Sequence, residues 1–231
     1  MSFLFCCCSS CLSTDEYARS SEERQPLLQA ESARLFRAPA QAEAKQKGKI
    51  LAKLVGISEL DQHFADVADT FNQQQEHYET MIETWRLLRD SYGCSHRNGL
   101  SDCLQRMREE HSGAQLGLQM RGYDLSLAVA GPLGARLQQA QEQVGVLGQA
   151  AKAVVAAGPR LQGMMGWVLQ QEDQLLQRVR EASPSYPEQL RVQANLRENL
   201  QTLRQAGDLS VRYRREAGAL LTEAAALTAG S

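Results

Sequence analysis

Lysine is scarce in this sequence: there are five in 231 residues, and four of them fall between positions 45 and 53. With a net charge of −2 at pH 7, nothing global attracts the chain to nucleic acid or to anionic lipid, so any electrostatic partner has to be met by a local patch. No apolar run approaches the roughly 18 to 20 residues that span a bilayer as a helix. The two best stretches, Leu125 to Ala135 and Val144 to Ala157, are short and interrupted by Gly, Pro, Gln or Lys. The N-terminus makes a poor signal peptide: its apolar stretch starts at Phe3 with no basic region before it and gives way to Cys and Ser by residue 6. These absences lead us to expect a cytosolic chain whose six cysteines stay reduced. Aromatics are only 6%, and the second half is rich in Gln, Leu, Ala, Glu and Arg, a composition that favours helices over strands.

Catalytic signatures are missing too. There is no phosphate-binding glycine loop, no G-x-G-x-x-G after a strand and no G-x-S-x-G elbow. The four histidines, His63, His77, His96 and His111, form no H-x3-H pair on one helix face. Cys94, His96 and Cys103 share a turn, but no fourth ligand is evident, and exposed loop thiols are the expectation there. His111 sits on an apolar row and reads as a hydrogen-bonded core residue rather than a base. We therefore expect no enzyme, no cofactor and no metal.

Four cysteines, Cys6, Cys7, Cys8 and Cys11, crowd the first eleven residues. Adjacent cysteines in a reducing compartment make a poor disulfide framework, and they lack the paired spacing of a zinc site. S-palmitoylation accounts for the whole segment. Phe3, Leu4, Phe5 and Leu12 give a weak interfacial hold, and each acyl chain then adds about 0.8 kcal/mol per buried methylene. Two or more chains anchor stably. Ser2 stands at position 2, so N-myristoylation is excluded. A metal or redox cluster and an inert tail are the other readings of these thiols.

Ser13 to Ala40 carries charges of both signs and no hydrophobic period, so residues 1–40 read as a disordered, acylated tail. Within it, Glu23-Arg24-Gln25-Pro26-Leu27-Leu28 looks like an acidic dileucine sorting signal, in which Glu23, Leu27 and Leu28 would engage clathrin adaptors as an extended peptide. A plain leucine pair in a tail is the competing reading. The order of cysteines, serines, an acidic stretch and then Glu-Glu-Arg followed by leucines resembles the start of the membrane-anchor subunit of the Ragulator complex, although Ser2 replaces that family's myristoylated glycine. The resemblance covers about twenty-five residues and implies a late-endosomal or lysosomal destination.

Residues 41–231 read as an all-α body. Gln41 to Leu54 shows a short helical pattern in which Lys45, Lys47, Lys49 and Lys53 either face anionic lipid behind the tail, at about 1 kcal/mol per charge, or form a solvated face. From Ser58, with Glu59 and Asp61 in the first turn, Phe64, Phe71, Tyr78, Trp85 and Tyr92 recur every seven residues. Leu60, Val67, Met81 and Leu88 each precede one of them by four positions, and Gln74 is the one polar intruder. This is the pattern of a helix about 50 Å long with a packed apolar seam. Tyr92 to Ser101 reads as a turn with Ser101 as the next N-cap. A helical seam then follows through Leu104, Met107, His111, Ala114, Leu118 and Leu125. Gly131-Pro132 kinks or breaks it, and it resumes from Leu133 through Val154 to a break at Gly158-Pro159. Leu161, Met164, Val168, Leu175 and Val179 lead to the breaker Ser183–Pro187, and a last helix carries Leu196, Leu200, Leu203, Tyr213, Leu220 and Leu227.

The three long stretches, about 41–91, 101–157 and 159–228, resemble a BAR domain, the sorting-nexin type most closely. That likeness implies an antiparallel long-helix bundle that dimerises and senses or bends membranes. The lysine-poor body and the Ser183–Pro187 breaker depart from the pattern, and Arg204, Arg212, Arg214 and Arg215 would have to supply a small basic face. The competing reading is a helical subunit of a complex on endosomes or lysosomes, similar in kind to BLOC-type assemblies, whose seams meet partner helices and whose lipid anchor only localises it. A cytosolic coiled-coil structural protein is the third. The sequence thus leads us to expect a lipid-anchored helical scaffold in membrane trafficking, on the cytoplasmic face of endosomal, lysosomal or Golgi membranes. It would have helical partners or form a homodimer, and would not bind nucleic acid.

Overall fold

The computed structural model describes residues 48–95 and 99–229, all of which belong to one compact unit, Lys47–Ser231. Among them are five helices and one small sheet: α1 (Ser58–Ser91), α2 (Leu100–Glu110), β1 (Gln115–Arg121), β2 (Asp124–Ala130), α3 (Ala135–Gln170), α4 (Glu172–Ala182) and α5 (Tyr186–Ala229). The unit is mostly helical. α1, α3 and α5, of 34, 36 and 44 residues, carry most of it.

In α1 the seven-residue pattern is the buried seam. Phe64, Phe71 and Tyr92 are buried, Tyr78 and Trp85 are half-buried against the core, and Leu60, Val67, Met81 and Leu88 complete the row. Gln74 is fully buried as well, and its amide nitrogen donates to Val154 O on α3 at 2.9 Å. The helix begins without a side-chain cap from Ser58 or Ile57. Instead the Asp61 carboxylate reaches back to accept the N–H groups of Val55 (2.6 Å) and Gly56 (3.2 Å).

α3 runs antiparallel to α1: His63 meets Met164, Gln74 meets Val154, and Ser91 accepts a hydrogen bond from Arg136. The break expected at Gly158-Pro159 does not occur, and α3 continues through both residues to Gln170. A proline inside a helix loses one hydrogen bond and costs about 3 kcal/mol. The apolar row before it (Leu147, Ala151, Val154) continues in register through Gly158 to Leu161, Met165 and Val168. Burying those three large side chains at about 1.5 to 3 kcal/mol each outweighs the lost bond. The chain breaks at Gln171, and again at Ser183, just before Pro187 in the opening turn of α5, where a missing N–H costs little. α5 buries Val192, Leu196, Leu200, Leu203, Ala206, Ser210, Tyr213, Ala217, Leu221 and Ala224, an unbroken row with steps of three or four.

The helical seam expected from Leu104 to Leu125 is wrong beyond Glu110. α2 buries Leu100, Cys103, Leu104 and Met107, and Gly99 rather than Ser101 stands at its N-cap position. An antiparallel hairpin follows, with Leu118 opposite Leu127 and Arg121 opposite Asp124. Leu116, Leu118, Leu125 and Leu127 are buried on one face, the period-two alternation of a half-buried strand. The turn is Gly122-Tyr123, with Gly122 at φ 62°, a left-handed conformation that glycine adopts freely. β2 lies on α3, while β1 meets α2 and α5. Gly148 permits that approach, since a β-carbon there would stand 2.7 Å from Leu125 Cβ and 3.2 Å from its backbone N and O.

Candidate functional site

The segment 49–55 is where the structure departs furthest from expectation. The helical pattern predicted over Gln41 to Leu54 is not seen in its described part, residues 48–54, which contains no helix. The segment instead lies along α1 and α5 as a strap whose backbone is held by side chains of those helices. Asn72 on α1 donates from Nδ2 to Ile50 O (3.0 Å) and accepts Ile50 N at Oδ1 (2.9 Å). Asn199 on α5 treats Lys53 the same way, donating to its carbonyl (2.7 Å) and accepting its N–H (2.9 Å). Asn195 donates to Leu54 O at 2.8 Å. A primary amide presents the same donor and acceptor pair as a peptide group, so the two asparagines stand in for a neighbouring strand.

Lys49 pairs with Glu76 at 2.5 Å and Lys53 with Glu198 at 2.7 Å. These two members of the lysine cluster therefore face carboxylates on the helices. Side chains divide along the strap: Val55 is 2% exposed and Ile50 packs against the core, whereas Leu51 is 85% and Leu54 66% exposed. Phe64, Val67, Ala68, Thr202 and Leu203 line the groove beneath Ile50 and Ala52. Sequence patterning missed this site because its recognition groups, Asn72 and Asn199, lie far apart in the chain.

Other expected site residues fall elsewhere. Cys6, Cys7, Cys8, Cys11, Glu23, Leu27, Leu28, Lys45, Lys47 and His96 lie outside the described residues, as does the whole tail 1–40. Cys94 and Cys103 are not exposed loop thiols but buried ones. Burial, and then a hydrogen bond with the Cys94 thiol, push the Cys103 thiol far above its usual range, which favours its protonated form. Among the described residues no group of three or more His, Cys, Asp or Glu is arranged to hold a metal ion.

His111 is half-buried, with Nε2 3.4 Å from the Tyr92 hydroxyl and its ring edge-on to Tyr92. His63 Nε2 lies 3.0 Å from Met164 O, beside the Trp167 ring. The arginines considered as a basic face are partly engaged within the unit. Arg204 pairs with Glu172, Arg212 lies over the Tyr213 ring 4.0 Å from Glu216, and Arg214 bonds Gln162.

Tyr78 and Tyr213 stack with centroids 4.0 Å apart, and the Tyr78 hydroxyl donates to Glu216 at 2.5 Å. Burial first, and then that hydrogen bond, push the Tyr78 phenol up to about 12. Among the described residues no helix is long and apolar enough to cross a membrane. No family model, no curated protein and no solved structure matches the chain.

Proposed function

We propose that this chain is a non-catalytic, lipid-anchored helical scaffold or adaptor that works through protein–protein contacts on the cytoplasmic face of endosomal, lysosomal or Golgi membranes. The observation that carries the reading is the cluster Cys6, Cys7, Cys8 and Cys11, set among apolar residues, in a chain whose described helices cannot span a bilayer. Multiple S-acylation would supply the attachment that the helices do not. Glu23, Leu27 and Leu28 would add an adaptor-read sorting signal, and the tail's resemblance to the Ragulator anchor favours the late-endosomal end of the range.

A BAR-like dimer that binds curved membranes is the second reading, supported by the three long helices α1, α3 and α5. Curvature sensing by charge requires cations that face lipid, whereas Lys49, Lys53 and Lys152 each pair with a carboxylate in the unit. That observation favours the scaffold. The test compares the intact chain with a variant in which the four tail cysteines are serine, by acyl-exchange labelling and membrane fractionation. The anchor reading expects an acylated, membrane-bound chain and a soluble variant. A variant that stays on membranes moves the binding to the helical body, and absence of acylation in the intact chain overturns the anchor.

A further inference from the structure

We infer that the groove between α1 and α5 is a docking site for an extended, lysine-bearing peptide of a partner protein, and that the chain's own strap, residues 49–55, occupies it in cis. The inference rests on how the strap is held. Asn199 is 3% exposed and spends both polar atoms of its side chain on the backbone of Lys53, 146 positions away. Asn72 does the same for Ile50. Side-chain amides that bond main-chain N–H and C=O bind any extended chain, whatever its side chains, which is the logic of strand addition carried out by helices.

Selectivity comes from what surrounds the amides. Glu76 and Glu198 take two lysines four positions apart, and the apolar floor of Phe64, Val67 and Leu203 takes the β-branched residue after the first lysine. The fitting ligand is thus an extended segment of the form Lys, β-branched aliphatic, two further residues, Lys. Glu76 stands on α1 and Glu198 on α5, so the two ammonium groups bridge the two walls of the groove.

The strap is suited to exchange. Most of its attachment is hydrogen bonds and ion pairs that an incoming peptide reproduces one for one, and only Val55 and part of Ile50 are buried. A tethered segment competes at an effective concentration on the order of millimolar, so the groove is masked in the resting chain and opens to a partner that binds tighter or once the strap is drawn away. This proposal does not depend on acylation. Its failure leaves the anchored-scaffold reading standing, and the converse holds.

The experiment uses a fluorescein-labelled synthetic peptide with the sequence of residues 48–57. It is titrated into the full chain and into a full-length variant whose residues 48–55 are replaced by glycine and serine, with helix content checked by circular dichroism. We expect the peptide to bind the strap-replaced chain at least tenfold tighter than the unmodified one. Changing both of its lysines to glutamate, or adding Asn72→Ala or Asn199→Ala to the strap-replaced chain, should weaken binding at least tenfold. If the replacement costs helix content, the full-length Lys49→Glu/Lys53→Glu variant, which repels its own strap from Glu76 and Glu198, is titrated instead with the same expectations. Binding no better than that of a scrambled peptide, or unchanged by the asparagine substitutions, overturns the proposal. A dimer of the unmodified chain that exchanges straps also overturns it, by assigning the groove to a second copy.

Discussion

The hairpin Gln115–Ala130 and the strap 49–55 are both non-helical segments laid against helices, yet their backbone hydrogen bonds go to different places. The hairpin pairs largely with itself along seven residue pairs, and side chains reach its carbonyls at two points, Arg108 Nε to Leu116 O and Gln141 Nε2 to Leu127 O, both 2.9 Å. It also buries four leucines. The strap has its polar groups satisfied by Asn72, Asn199, Asn195 and Asp61, and buries one residue fully. The first is part of the core, and the second is a ligand that happens to be covalently attached. Opening the hairpin exposes apolar surface and should cost nearly the whole folding free energy, whereas lifting the strap exchanges most of its hydrogen bonds for water and should cost far less.

The largest effect that would break this distinction is in the hairpin. Leu127→Ala should cost about 3 kcal/mol of global stability, read as a lower denaturation midpoint with all helices lost together. A loss confined to residues 115–130 would show that the hairpin is not integral. Gly148→Val should follow at about 2 kcal/mol, since the new side chain meets the Leu125 backbone.

Asn199→Ala should cost about 1 to 2 kcal/mol. Its signature is local: hydrogen exchange at the Lys53 amide should accelerate while α3 amides keep their protection. Uniform acceleration would make the strap part of the cooperative core.

Removing both strap ion pairs with Lys49→Ala and Lys53→Ala should cost about 0.5 kcal/mol each or less, because the pairs are exposed. That loss should vanish in high salt.

At neutral pH the titration of Tyr78 contributes no change at all. Its phenol titrates near 10 when unfolded and near 12 when folded, so the folded state holds the proton more tightly. Its stabilising share is complete below pH 10 and is lost as pH rises towards 12. Tyr78→Phe should flatten that part of the stability–pH curve while leaving strap exchange untouched.

Much of α1 was legible because a seven-residue apolar repeat has few ways to be buried. Phe64, Phe71, Leu60 and Leu88 lie where that repeat puts them. The hairpin was harder to read because its strands are built from Leu, Gln, Met, Ala and Ser, which form helices readily, and contain a single β-branched residue, Val129. Alternation of Leu116, Leu118, Met120 and of Leu125, Leu127, Val129 was the better signal, and tertiary packing overrode propensity. Pro159 misled in the opposite sense, since a local breaker lost to a continuous buried row. The groove left no local trace, because Asn72 and Asn199 are ordinary polar residues until the fold sets one segment between them.

By itself, the sequence determined that the body would be mostly helical, where its first long helix begins and which face of that helix is buried, because periodicity and local propensity act within a few turns. It also placed all four clustered thiols at one end of the chain. Only the tertiary structure decided that residues 49–55 form a non-helical strap, that Lys49 and Lys53 meet Glu76 and Glu198, and that Cys94 and Cys103 are sealed from solvent. Each of those outcomes depends on groups brought together from distant parts of the chain, where no local rule reaches.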